Sequence, residues 1–178
     1  LMEELALILK NRRLNQGYMN LDIPESKIIL DENGKAIEVK KYETKGQFLE
    51  ENLEILLKEE AKNEIMIGIL LEHDEAKVKN WTMGRIEDNG EVKLIFLVDD
   101  DRQGLLVYSL EELLSDEVVN CLVDNIINLN VKLKDVLTSK ECAIKIANLY
   151  SQKTGISMTI DQYMYILILD EYQNEYLL

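Results

Sequence analysis

The sequence predicts an α+β fold, a small sheet of hairpin-connected strands packed with four or more helices and preceded by a helix-plus-hairpin arm. Three observations carry that expectation. Residues 48–71, FLEENLEILLKEEAKNEIMIGILL, form the longest apolar-periodic run, at the three- and four-residue steps of helices. Two Asn-Gly pairs, Asn33-Gly34 and Asn89-Gly90, stand between strand-like runs and suit the positive φ angles of tight hairpins. Cap signals at Thr44, Ser115 and Thr138 mark where helices start.

Leu1 to Leu14 reads as a helix with Met2, Leu5, Ile8 and Leu9 on one face and Arg12 and Arg13 in its last turn. Met19, Leu21 and Ile23 alternate with Asn20 and Asp22, a strand that Pro24 ends. Lys27–Leu30 and Ala36–Val39 then flank the first hairpin turn. Thr44 and Gln47 stand as a capping box, so a helix should begin at about Lys45 and bury Phe48, Leu49, Leu53, Leu56 and Leu57. The polar cluster KEEAKN predicts a break near Ala61 to Asn63 before a second, more buried helix. His73 to Asn80 reads as a polar linker. Trp81–Glu87 and Val92–Val98 make the second hairpin, and Leu105–Tyr108 a third strand. Ser115 caps a helix running to about Asn130; Thr138 with Glu141 caps another that stops at Gly155. Ile156 to Leu169, rich in Ile, Met and Tyr, reads as a closing strand.

A net charge of −14 and an isoelectric point near 4.5 disfavour a nucleic-acid-binding surface, whose affinity rests on cations neutralising phosphates, and disfavour anionic membranes. The apolar runs fall far short of the ~20 residues a membrane helix needs. No signal-peptide pattern is present, and Cys121 and Cys142 sit inside amphipathic helical patterns, as buried free thiols of a reducing cytoplasm would. Charge is uneven. Residues 1–43 hold seven Lys and Arg against eight Asp and Glu, whereas 44–178 holds thirteen against twenty-six. The expected organisation is therefore an arm, 1–43, and an α+β domain, 44–178.

Two family resemblances follow these boundaries. Met2, Glu4, Leu5, Ala6, Leu9, Arg13, Gly17, Glu25, Lys27, Asp31, Glu32 and Gly34 resemble a segment of the ribonuclease II/R catalytic domain, in which a helix precedes strands reading E-x-K-hydrophobic-hydrophobic-x-D-E-x-G. In that family the metal-binding aspartates lie upstream of this segment and an I-E-E-F-M-x-x-A-N helix follows it; the first are not in this sequence, and FLEENLEILL matches the second poorly. Residues 44–178, through KGQFLEENLEILLKEEAKNEIMIGILLEH, EDNGE, ECAIKIANLYSQKTGISM and MYILILDEY, resemble the N-terminal lobe of two-lobed bacterial GNAT-family acyltransferases. That family holds acetyl-CoA in a Q/R-x-x-G-x-G/A loop between strand and helix. Arg102-Gln103-Gly104 comes nearest to it, without the spacing, so the resemblance carries a fold and no binding residue.

The resemblances imply a non-catalytic lobe, fragment or partner-dependent subunit of a GNAT-type acyltransferase, inactive alone, with no catalytic, cofactor-binding or metal residue assigned. One alternative is a ribonuclease R-related, RNA-associated module without the catalytic aspartates. Another is an acidic inhibitor that imitates nucleic acid, which would need acids in rows on one face, whereas helix acids such as Glu50, Glu51 and Glu54 read as scattered around solvent faces. His73 is the sole histidine and reads as a solvated linker residue; Asp99, Asp100 and Asp101 read as an acidic turn rather than a cation site. Trp81, Tyr163, Tyr165, Tyr172 and Tyr176 read as core and interface residues. The apolar stretch Tyr163–Leu169 needs cover, which predicts self-association or docking of a second lobe through the C-terminal strand.

Overall fold

The computed structural model describes residues 29–30, 36–99, 102–161 and 163. Strands β1 (Ile29–Leu30) and β2 (Ala36–Tyr42) are followed by helices α1 (Lys45–Leu57), α2 (Glu60–Glu72) and the one-turn α3 (Glu75–Val78). Strands β3 (Thr82–Asp88), β4 (Glu91–Asp99) and β5 (Gly104–Ser109) come next, then α4 (Asp116–Asn128), β6 (Asp135–Leu137) and α5 (Lys140–Thr154). The fold is α+β. The helix expected over 1–14, the strand at 19–23 and the Asn33-Gly34 turn lie outside the described residues, as does nearly all of Tyr163–Leu169.

One six-stranded sheet runs in the order β1-β2-β3-β4-β5-β6, antiparallel except for the parallel β5–β6 pair. The Asn89-Gly90 hairpin forms with φ values of 53° and 82°, both in the left-handed region that the pair was read to supply. β2 pairs with β3 from Ile37 opposite Asp88 to Tyr42 opposite Met83, so the first hairpin is continuous with the main sheet. β4 lies at the centre, and Leu94 to Val98 are all fully buried. Their alternation splits the core in two. Leu94, Phe96 and Val98 join Val118, Leu122 and Ile126 of α4 and Ile146 of α5, whereas Ile95 and Leu97 join Phe48 and Leu56 of α1 and Met66 and Leu70 of α2. Helices therefore cover both faces of the sheet, and each of these buried side chains contributes about 1.5–3 kcal/mol of transfer free energy.

Local signals set most helix ends. Thr44 Oγ1 accepts from Gln47 N at 3.2 Å and Ser115 Oγ from Val118 N at 3.3 Å, while Gly155 ends α5 with φ 72°. Three expectations need correction. The break between α1 and α2 falls at Lys58 and Glu59, not at Ala61–Asn63, because Asn63 is buried inside α2 and its amide donates to Leu56 O at 2.8 Å, tying the helices together. α5 is capped at Ser139, not Thr138, since β6 runs to Leu137. Ile156–Asp161 is irregular rather than strand: Ile156 and Met158 pack on the α4–α5 core, but the segment pairs with no strand among the described residues. Among the described residues no helix is long and apolar enough to cross a membrane. Both cysteines are buried free thiols, and burial raises the Cys142 pKa.

Candidate functional site

Among the described residues, the α1–α2 face carries a connected polar network. Arg85 and Glu87 are two apart in β3 and so share the face of Met83, toward α1. Arg85 Nε donates to Glu87 Oε1 at 2.6 Å, and its Nη1 lies 3.3 Å from Glu51 Oε2 and 3.4 Å from Asn52 Oδ1. Lys40 from β2 ion-pairs with the same Glu51, and Tyr42 Oη donates to it at 3.1 Å. The Lys40 ammonium, more than any other neighbour, holds the Glu51 carboxyl below its usual range, while burial pushes the Tyr42 phenol up to about 12. Asn52 is fully buried and its amide donates back to Phe48 O at 2.8 Å. This network fastens α1 to the sheet. It also engages Glu51, whereas Glu50 and Glu54 of the same helix are exposed.

A small cleft of about 90 Å³ opens at the C-terminal end of α2. Ile69 and His73 of α2, Lys77 of α3, Trp81 before β3, Asp99 at the end of β4 and Arg102 in the following turn line it. His73 is not the solvated linker residue the sequence suggests. It is the C-cap of α2, its carbonyl accepts from Lys45 Nζ at 2.6 Å, and its ring lies 5.6 Å from that of Trp81, tilted by 42°. The linker itself contains α3, whose Val78 is buried and whose Glu75 carboxylate accepts from Lys45 N and Gly46 N, an anion at the start of α1. Trp81 is buried in the α1–α2 core, yet its Nε1 and the Nδ1 of His73 are sealed from solvent without a hydrogen-bond partner. A buried donor in that condition costs about 1–3 kcal/mol.

The remaining sequence candidates separate. Asp99 accepts from Arg102 N at 3.2 Å and faces Arg102 Nε at 3.7 Å; Asp100 and Asp101 lie outside the described residues. Among the described residues no group of three or more His, Cys, Asp or Glu side chains could hold a metal ion. Arg102 and Gln103 lie in the turn between antiparallel β4 and β5, not in a strand-to-helix loop, and Gly104 opens β5 beside Asp135, whose Oδ1 an added Cβ would meet at 2.7 Å. Tyr163 is exposed, with Lys140 Nζ 5.9 Å from its ring. A more open groove of about 240 Å³ lies between α4 and α5, where Lys145 Nζ bonds Leu114 O and Asp116 Oδ1. Sequence reasoning missed Arg85, Glu87, Asn52 and Asn63. A charged pair at i, i+2 on one strand face was the available signal for the first two; a buried Asn inside a helix gives none.

The chain is similar to two ribonucleases R. That of Ureaplasma parvum is 35% identical over 99 residues, which is 55% of this chain and 12% of that protein. That of Mycoplasmopsis pulmonis is 51% identical over 37 residues, 21% of this chain and 5% of that protein. The chain thus spans a small part of the length of these relatives. A match over 99 residues cannot lie within residues 1–43, so the ribonuclease likeness extends past the arm to which the sequence reading confined it. No family model matches the chain, and no solved structure matches it significantly. The GNAT-lobe resemblance therefore finds no support.

Proposed function

We propose that the chain is a ribonuclease R-related, RNA-associated module that does not itself hydrolyse RNA. The observation that supports the reading is the 35% identity to a ribonuclease R over more than half of the chain. Its geometry suits a scaffold: a sheet covered on both faces, with Glu51 engaged by Lys40 and Arg85. A net charge of −14 means that RNA contact is confined to a few cations, so affinity is modest and falls with salt.

A labelled single-stranded RNA of about 20 nucleotides, mixed with the purified chain in Mg²⁺ and followed on native and denaturing gels, tests both halves of the reading. RNA should be retained at about 20 mM salt, largely released at about 150 mM, and left intact. Cleavage that mutation of this chain abolishes would make the module a nuclease in its own right. No retention at any salt would remove the RNA association.

A further inference from the structure

We propose that the cleft at the C-terminal end of α2 binds a phosphate-class oxyanion, either free inorganic phosphate or the terminal phosphate of an RNA strand. Trp81 is 7% exposed, and its indole N–H can only donate, so an acceptor is the partner it lacks. Lys77 and Arg102 bring cations to the same cleft from two separate elements, and a guanidinium fork matches phosphate oxygens. Arg102 is tethered by Asp99 through its backbone N and, at 3.7 Å, through Nε, while its side chain is 80% exposed. About 90 Å³ admits a tetrahedral anion, whereas sites for drug-sized ligands run to roughly 300 Å³ and more, which excludes a nucleobase with its sugar. The Asp99 carboxylate on the cleft wall opposes a second negative charge, so the affinity is weak and favours the monoanion. Nε1 is sealed in the unliganded chain, so binding requires the neighbouring His73 ring, 5.6 Å away, to move, and the indole resonance reads that movement too.

The single tryptophan makes this directly observable, since the chain gives one indole N–H resonance. Inorganic phosphate is titrated into the full chain at constant ionic strength, with chloride as the balance. The indole peak should move saturably, and Arg102→Gln should weaken the response about tenfold while leaving the rest of the spectrum in place. Lys77→Gln gives a second, independent loss. Short RNAs ending in phosphate and in hydroxyl identify the source: a shift from the phosphorylated strand alone assigns the RNA terminus, and a shift from inorganic phosphate alone assigns the free ion. The phosphate titration contains no RNA, so it stands or falls apart from the RNA association. An indole peak that phosphate moves no further than chloride, or that Arg102→Gln leaves titrating like wild type, overturns the proposal.

Discussion

The two faces of the sheet are closed by different means. Toward α4 and α5 the contacts among the described residues are mostly apolar, with Leu133 N donating to Tyr150 Oη at 3.2 Å as a buried polar tie. Toward α1 and α2 the apolar core is crossed by polar ties: Arg85 with Glu51 and Glu87, Asn63 with Leu56 O, and Tyr108 Oη with Glu59 Oε2 at 2.9 Å. Apolar burial is non-directional, whereas a buried amide or guanidinium is satisfied in one arrangement only. The α4–α5 face should therefore supply more of the stability, and the α1–α2 face more of the positional accuracy around the cleft.

The largest test is Leu122→Ala, which empties a fully buried site on the apolar face and should cost about 3 kcal/mol. Trp81 reports from the opposite face, so coincident denaturation by fluorescence and far-UV circular dichroism would show one cooperative unit, and separated transitions would split the faces. Gly84→Ala comes next. Gly84 sits opposite Phe96, and an added Cβ would lie 2.6 Å from that ring and 2.8 Å from Lys40 O, a backbone atom that cannot turn aside. A loss of about 1–3 kcal/mol is expected in urea melts. Asn63→Ala removes the buried side-chain donor that ties Leu56 O and Glu59 O to α2, leaving those carbonyls their backbone donors alone, and should cost about 1–2 kcal/mol, with the indole environment changing more than it does in Leu122→Ala.

The smallest effect is one of pH. Burial, chiefly, pushes the phenols of Tyr42 and Tyr108 up to about 12 from the usual 10. Each holds its proton more tightly folded than unfolded, so its contribution is intact below pH 10 and is lost as pH rises from 10 toward 12. Tyr108→Phe should remove part of that alkaline loss in melts recorded at pH 9 and 11, at the expense of the bond to Glu59 near neutrality. An unchanged alkaline slope would mean that Tyr108 is not sealed in the folded state.

Elements governed by local chemistry were readable from the sequence. The Asn89-Gly90 turn, the Ser115 cap and the Gly155 stop each depend on a residue's own backbone preference or on a hydroxyl three residues from its partner. What failed depended on distant partners. Asn63 looked like loop punctuation because its value lies in Leu56 O, seven residues away, and His73 looked solvated because Trp81 is brought to it by α3. Ile156 and Met158 have the composition of a strand, but composition supplies no neighbour to pair with. The cleft was illegible for the same reason: its walls come from α2, α3, β4 and two connecting segments, and no motif spans them.

The parallel contact between β5 and β6 orders events in time. The β3–β4 and β4–β5 pairs join strands across short turns and can zip with little loop entropy to overcome, whereas β2–β3 closes over three helices and β5–β6 over α4. β6 cannot join that way. It must wait for α4 to dock, and only three residues then hold it. The Asp135–Leu137 edge should accordingly assemble after the β3–β4–β5 hairpins and open before them, with backbone amides there exchanging with deuterium well before those of Leu94–Val98.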